Sequence, residues 1–211
     1  MSTYSGSFPS FAGAERAYRT AWSNRSHTCF ELPPVNVNKI LRDRYRMRPA
    51  QALTRTMIWD MERKKAWDPR TYIPYVVSEG GSWDRQTLPD GERFSRSSLQ
   101  KGWIARSEGR VLEDVYLSDA KQAIVFLGRE RMRDESGTEL RASGFQPIFH
   151  VEHGVGGSED EPLNLWSIVL MTPDEDRRYH RPFEDMVAAG WLPGFIEIYI
   201  AKDLGVELSR E

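Results

Sequence analysis

Hydrophobic and polar positions change their period twice along the chain. Residues 53–66, LTRTMIWDMERKKA, set Leu53, Met57, Ile58 and Met61 at helical intervals with charges between them, which is the stripe of an amphipathic helix. Thr54 suits its N-cap, while Arg63, Lys64 and Lys65 suit the negative end of its dipole. Asp68-Pro69 stops it, because a residue before proline is pushed out of helical geometry. Residues 71–77, TYIPYVV, read as a second helical turn passing into a strand. From there the period drops to two. Strands are predicted over residues 83–86, 92–99, 102–107, 110–117, 123–130, 145–153 and 163–171. Turn chemistry separates them at Pro89-Asp90-Gly91, Glu108-Gly109 and Ser136-Gly137, and a long loop with three glycines is predicted over residues 154–162. Short strands with close turns argue for an antiparallel sheet, and such a sheet must cover its apolar face.

The predicted cover is C-terminal. Thr172-Pro173-Asp174-Glu175 has the form of a capping box with proline at the first helical position. Pro182 interrupts the helix it would start, and Phe183, Met186, Val187, Trp191, Leu192, Phe195, Ile196, Tyr199 and Ile200 form a broad apolar stripe. This is the longest helical region predicted, and Pro193-Gly194 should kink or break it near its middle. A helix laid across a curved sheet encloses a cavity between them.

Upstream, residues 1–26 are rich in Ser, Gly and small residues around a short helix at 14–22, an appendage either partly disordered or packed on the outside. The expected division is a peripheral segment 1–29 and a ligand-binding domain 30–211. Residues 30–37, FELPPVNV, read as an edge strand, since two prolines remove ladder donors. The basic run 39–48 reads as a solvated loop or short surface helix, with a protein-interaction surface as the alternative.

Composition narrows the partners. The 29 basic and 31 acidic residues among 211 are scattered and leave a net charge of −2, so neither nucleic acid nor a membrane surface is an expected partner. One cysteine, Cys29, forms no intramolecular disulfide and reads as a reduced thiol in a cytoplasmic protein. The N-terminal residues carry neither a basic nor an apolar leader pattern. No metal is expected: His150 and His153 have no cysteine partners, and their spacing on a strand sends them to opposite faces.

Candidate chemistry centres on GRVLEDVYL. Alternation puts Val111, Glu113, Val115 and Leu117 on the more apolar face, so Glu113 is a carboxylate among aliphatic neighbours. A buried charge must be paired, protonated or used. In GERFSRSSL, an inward Phe94 makes Arg96 and Ser98 inward too, and Arg96 becomes the natural partner of Glu113. Glu113 is thus a general acid or base, an ion-paired anchor for substrate oxygen, or a structural residue; a one-residue slip would instead face it to water. In FQPIFHVEH the apolar parity includes His153, a candidate proton shuttle near the glycine-rich segment, while His150 and Glu152 should face solvent. Gly154-Val155-Gly156-Gly157 opens no helix and reads as a flexible gate. Trp103, Trp166, Trp191, Phe195 and Tyr199 would supply pocket walls.

The order strand, helix pair, meander, closing helix resembles a known family. LTRTMIWDMERKKAWDPRTYIPYV, GERFSRSSL and VLEDVYL, together with the closing helix, resemble the α+β helix-grip fold of the START-like (SRPBCC) superfamily, in particular its AtaL-like branch of secondary-metabolism proteins. The resemblance implies a curved antiparallel sheet around a long C-terminal helix, an internal pocket for an apolar or aromatic small molecule, and no obligate cofactor. It also implies that the carboxylate of Glu113 looks into that pocket. The expected function is a cofactor-independent cyclase or isomerase of polyketide- or terpenoid-like metabolites, with proton transfer through Glu113 and with Arg96 and His153 positioning oxygen atoms. The alternative is a non-catalytic carrier or receptor. A homodimer is compatible with either.

Overall fold

The computed structural model describes residues 6–104, 107–174 and 177–211. Helix α1 (Phe11–Trp22) leads. Its start is fixed twice: Ser10 Oγ accepts from Gly13 N at 3.1 Å, and the Asp90 carboxylate accepts from Phe11 and Ala12 N at 2.7 and 2.9 Å. The short strands β1 (Thr28–Glu31) and β2 (Val35–Asn36) come next, with Pro33 and Pro34 falling between them, where no ladder donor is required. The basic run forms α2 (Val37–Arg44) and then β3 (Tyr45–Arg48), a helix followed by a strand.

Helix α3 (Arg55–Trp67) begins where predicted, with Thr54 Oγ1 accepting from Met57 N at 3.1 Å, and it ends at Asp68. The single turn α4 (Pro69–Tyr72) is capped by Asp68. Then come β4 (Val77–Leu88), β5 (Gly91–Lys101), β6 (Glu108–Ser118), β7 (Ala123–Arg129), the side hairpin β8 (Arg131–Arg133) and β9 (Glu139–Arg141), β10 (Phe149–Gly157) and β11 (Pro162–Leu170). The chain closes with α5 (Arg181–Ala189), α6 (Gly194–Lys202) and β12 (Glu207–Arg210).

The main sheet is antiparallel, in the order β1-β11-β10-β7-β6-β5-β4, with β2 also on β11. It curves around the helices as expected of an α+β helix-grip chain. β12 pairs with β3, tying the C-terminus to the basic segment, and the Arg46–Glu211 ion pair lies at the same place.

Four local expectations are corrected. Of the residues expected as a strand at 102–107, Gly102, Trp103, Ile104 and Ser107 are in no strand, and Gly102 N donates to Ser107 O at 3.0 Å; Ala105 and Arg106 lie outside the described residues. The strand expected from residue 145 starts at Phe149, after Pro147, which has no N–H for the ladder. The glycine-rich segment is no gate: Gly154, Gly156 and Gly157 continue β10, paired with Leu165, Leu163 and Pro162. Gly157 turns the hairpin at φ 76°, and a Cβ there would lie 2.2 Å from Glu161 O. The C-terminal helix begins at Arg181 rather than Thr172, with Pro182 in its first turn, since proline is preorganised for that position; Glu175 lies outside the described residues. The expected break is present, opened by Gly190 at φ 66° and completed by Pro193.

Each sheet face carries an apolar cluster. On the concave side Ile58 and Met61 of α3, Phe94, Phe126 and Ile168 of the sheet, and Ile196 of α6 belong to one apolar cluster. On the convex side Phe11, Ala14 and Tyr18 of α1 pack against Tyr116, Val125 and Val169. Charged side chains buried within these clusters are shielded from water, and their partners must come from the protein itself.

Candidate functional site

The β5–β6 register places Arg96 opposite Glu113. Arg96 donates from Nε and Nη2 to Glu113 Oε2 at 2.9 and 2.6 Å, and from Nη1 to Ala66 O at 3.1 Å. Its guanidinium also lies 4.6 Å from the centre of the Phe126 ring. Both residues are buried. The structure thus brings the two together as the strand parity predicts, and it engages Glu113 as the partner of a cation.

His153 sits on β10, facing inward with Phe149, Val151 and Val155, opposite Trp166 in the β10–β11 register. Its ring stacks on Trp166 with centroids 5.4 Å apart and planes 20° apart, and meets Phe126 and Phe195 edge-on. The residues that complete its surroundings come from α3 and escaped the sequence reading. Lys65 Nζ lies 2.9 Å from His153 Nδ1 and 2.5 Å from Glu62 Oε2, and Glu62 Oε1 accepts from Asn164 Nδ2 at 2.7 Å. Lys65 Nζ also stands 3.8 Å from the centre of the Phe195 ring. Lys65, read from the sequence only as a cation suited to the negative end of the helix dipole, is 4% exposed, and Glu62 is fully enclosed. A signal for them was available: continuing the stripe from Ile58 and Met61 by helical steps lands on Glu62 and Lys65.

Burial sets the proton affinities. It draws the Lys65 ammonium down to about 8 despite Glu62 beside it, with the Arg96 charge adding to the descent. Burial works upward on Glu62, but Lys65 and then His153 outweigh it and hold the carboxyl at about 2. The His153 imidazole is pushed below its ordinary value by burial and then by the Lys65 charge. The result is an ammonium whose proton is loosely held, beside an imidazole whose charged form is disfavoured and whose Nδ1 also lies 3.4 Å from Glu62 Oε2.

The aromatic residues divide. Trp166 borders a cleft of about 170 Å³ among Pro33, Val35, Ile40, Met186 and Trp191, and its Nε1 is buried without a partner among the described residues. Trp103 packs on Phe149 and Phe183 at 4.7 and 5.6 Å. Phe183, the one buried residue of α5, also meets Phe30 and Trp166 at 4.9 and 5.7 Å. Trp191 rests on Tyr45 and between the guanidiniums of Arg44 and Arg210. Tyr199 is buried, with its hydroxyl donating to Asp60 at 3.0 Å.

Two further expectations are corrected. His150 is 4% exposed rather than solvated, because the convex face is itself covered; its Nδ1 accepts from Gly128 N at 3.0 Å. Glu152 is partly buried and pairs with Arg19 of α1 at 2.6 Å. Among the described residues no group of three His, Cys, Asp or Glu side chains could hold a metal ion, and no helix is long and apolar enough to cross a membrane.

No protein-family model and no curated protein matches the sequence. Solved structures similar to the chain include the major latex-like protein 151 of Panax ginseng, at 8% identity over 80% of this chain and 99% of that one, with a TM-score of 0.43. The ZhuI aromatase/cyclase of Streptomyces sp. R1128 is similar at 11% identity over 85% and 90%, with a TM-score of 0.41. Ara h 8.0201 is similar at 10% identity over 82% and 95%, with a TM-score of 0.45.

Proposed function

We propose that the chain binds an apolar, enolisable small molecule on the concave side of the sheet and catalyses proton transfer on it, as a cofactor-independent cyclase or isomerase of polyketide- or terpenoid-like metabolites. The observation that carries this reading is the Lys65–His153 contact inside an aromatic enclosure. A buried ion pair is seldom worth more than an apolar replacement of the same volume, so an acid–base cluster kept in the core is better explained by use than by stability. Lys65, poised near neutral pH, and His153, its immediate partner, relay the proton. Carbon next to a carbonyl gives up its proton to this pair, and the enolate oxygen is held by the cationic groups, with Arg96 oriented for that purpose by Glu113. The enolate either attacks a second carbonyl of the same molecule, closing a ring, or regains the proton at another carbon. Glu113 is thereby assigned to orienting Arg96. Trp166 Nε1 offers an unused donor for a substrate oxygen, and Phe183 on α5 occupies the apolar end of the enclosure until substrate displaces it.

The test is exchange of the α-protons of 2-tetralone in deuterated buffer, followed by NMR. The chain should accelerate exchange, with a rate rising as pH passes through about 8, where Lys65 becomes a free base. His153→Phe and the double variant Glu62→Gln/Lys65→Met should each lose about a hundredfold or more of that acceleration. Tetralone binding, seen by tryptophan fluorescence, with exchange at the buffer rate would make the protein a carrier and sink the enzyme reading.

A further inference from the structure

Lys65 differs from every other lysine of the chain. Lys39, Lys101, Lys121 and Lys202 are exposed and Lys64 is partly so, whereas Lys65 is buried on the inner face of α3. Its Nζ lies 2.5 Å from Glu62 Oε2, 2.9 Å from His153 Nδ1 and 3.8 Å from the centre of the Phe195 ring. Enclosure of this kind favours the uncharged amine, and the uncharged amine attacks carbonyl carbon. With its ammonium drawn down to about 8, a sizeable share of Lys65 is free amine near neutral pH.

The neighbours suit the steps of imine formation. Glu62 stays a carboxylate throughout, and its other oxygen is fixed by Asn164 Nδ2 at 2.7 Å. It pairs with the ammonium and would pair equally with an iminium, which puts the same charge on the same nitrogen. His153 Nδ1 can take the proton that the amine sheds. Once that proton has left, the Lys65 charge that opposes protonation of the ring is gone. The cleft of about 170 Å³ is lined by Asn164 and Trp166, which on their inner side meet Glu62 and His153. One layer of side chains therefore separates the cleft from the amine. A cavity of about 150 Å³ admits a benzene ring.

We propose that Lys65 is a covalent nucleophile that captures an aldehyde or ketone as a Schiff base, with Glu62 as counter-ion of the iminium and His153 as proton carrier. The inference rests on the reading that a carbonyl compound reaches the concave site. The ammonium first passes a proton to His153. The freed lone pair adds to the carbonyl carbon as the C=O π pair moves to oxygen, and a proton moves from nitrogen to that oxygen. The carbinolamine then expels the hydroxyl as water, taking back the proton held on His153, and C=N⁺ is left on Lys65. Overall, ammonium and carbonyl become iminium and water with no change of oxidation state. The iminium acidifies the neighbouring C–H, so capture opens a covalent route beside the enolate one, and added water releases the product and the amine.

The test is 2-tetralone with the intact chain in oxygen-18 water at about pH 7.5. Exchange of the α-protons and of the carbonyl oxygen is followed in parallel, and cyanoborohydride reduction with peptide mapping locates any iminium. The carbonyl oxygen should exchange at least about tenfold faster than with butylamine at the same concentration. The reduced label should favour Lys65 by about a hundredfold over each other lysine, because its amine lies more than two pH units below an ordinary one. The map is made on the unaltered chain and needs no variant to fold; Glu62→Gln/Lys65→Met should lose both the label and the oxygen exchange. Accelerated α-proton exchange with oxygen exchange at the butylamine rate, or a label spread evenly over the lysines, would overturn the inference and leave the proton-transfer reading standing. No acceleration of either exchange would overturn both.

Discussion

At the scale of single residues, the core is organised by charges that found partners. Removing one partner leaves the other stranded. Lys65→Met strands the Glu62 carboxylate and should destabilise the fold by about 3–5 kcal/mol, whereas Glu62→Gln/Lys65→Met should recover most of that loss; urea unfolding of the two variants measures the difference. His150 supplies a pH signature. Its imidazole falls from the ordinary 6.5 to about 4 in the folded chain, so between those values the unfolded chain binds the extra proton. Its contribution is therefore complete above about pH 6.5 and is lost as pH falls through about 4, on the order of 3 kcal/mol in all. The urea midpoint should fall across that window, and His150→Gln, which can still accept from Gly128 N, should flatten it. Strand parity made Arg96, Glu113 and His153 legible as inward residues, because a period of two leaves each side chain one choice of face. The same parity sent His150 to solvent, because nothing in β10 records that α1 lies on its other side.

At the scale of elements, α5 stands apart. Phe183 is its only buried residue, and every residue after it in the helix is exposed. An element with a single buried ring and only exposed polar ties, such as Arg44 to Ala189 O at 2.9 Å, opens more readily than the core it covers. Phe183→Ala should leave amide protection of α3 intact while protection of α5 falls to that of an open segment, measured by hydrogen exchange. Helix α3 was legible from its stripe, cap and stop. The start of α5 was not, since the capping-box pattern at Thr172 and the proline at 182 point to different first turns. Pro182 prevails because a proline ring fits only where its missing N–H has no helical partner.

At the scale of the molecule, a sheet covered on both faces behaves as one cooperative body. Tyr18 is the bolt on the convex side: it is wholly buried, and its hydroxyl lies 2.7 Å from Ser167 Oγ on β11. Tyr18→Ala should cost about 3–5 kcal/mol and lower the unfolding midpoint of the whole chain in a single transition, while Tyr18→Phe should cost about 1 kcal/mol. A second, undisplaced transition in calorimetry would instead make α1 an independent appendage. The β3–β12 tie works in the same sense, joining the basic segment to the C-terminus far along the chain.

The sequence by itself determined the alternation of the strands, the cap and stop of α3, the break before α6 and the inward parity of Arg96, Glu113 and His153. Each of these comes from local geometry: a backbone period, a missing N–H, a side chain that bonds three residues ahead. Only the tertiary structure decided that Glu62 and Lys65 belong to the interior, that Glu113 is engaged by Arg96, and that α1 closes the outer face over His150. Those outcomes depend on which elements meet across the fold. A charged residue on a helical stripe reads the same way whether the surface beside it is water or the ring of a histidine from a strand eighty-eight positions away.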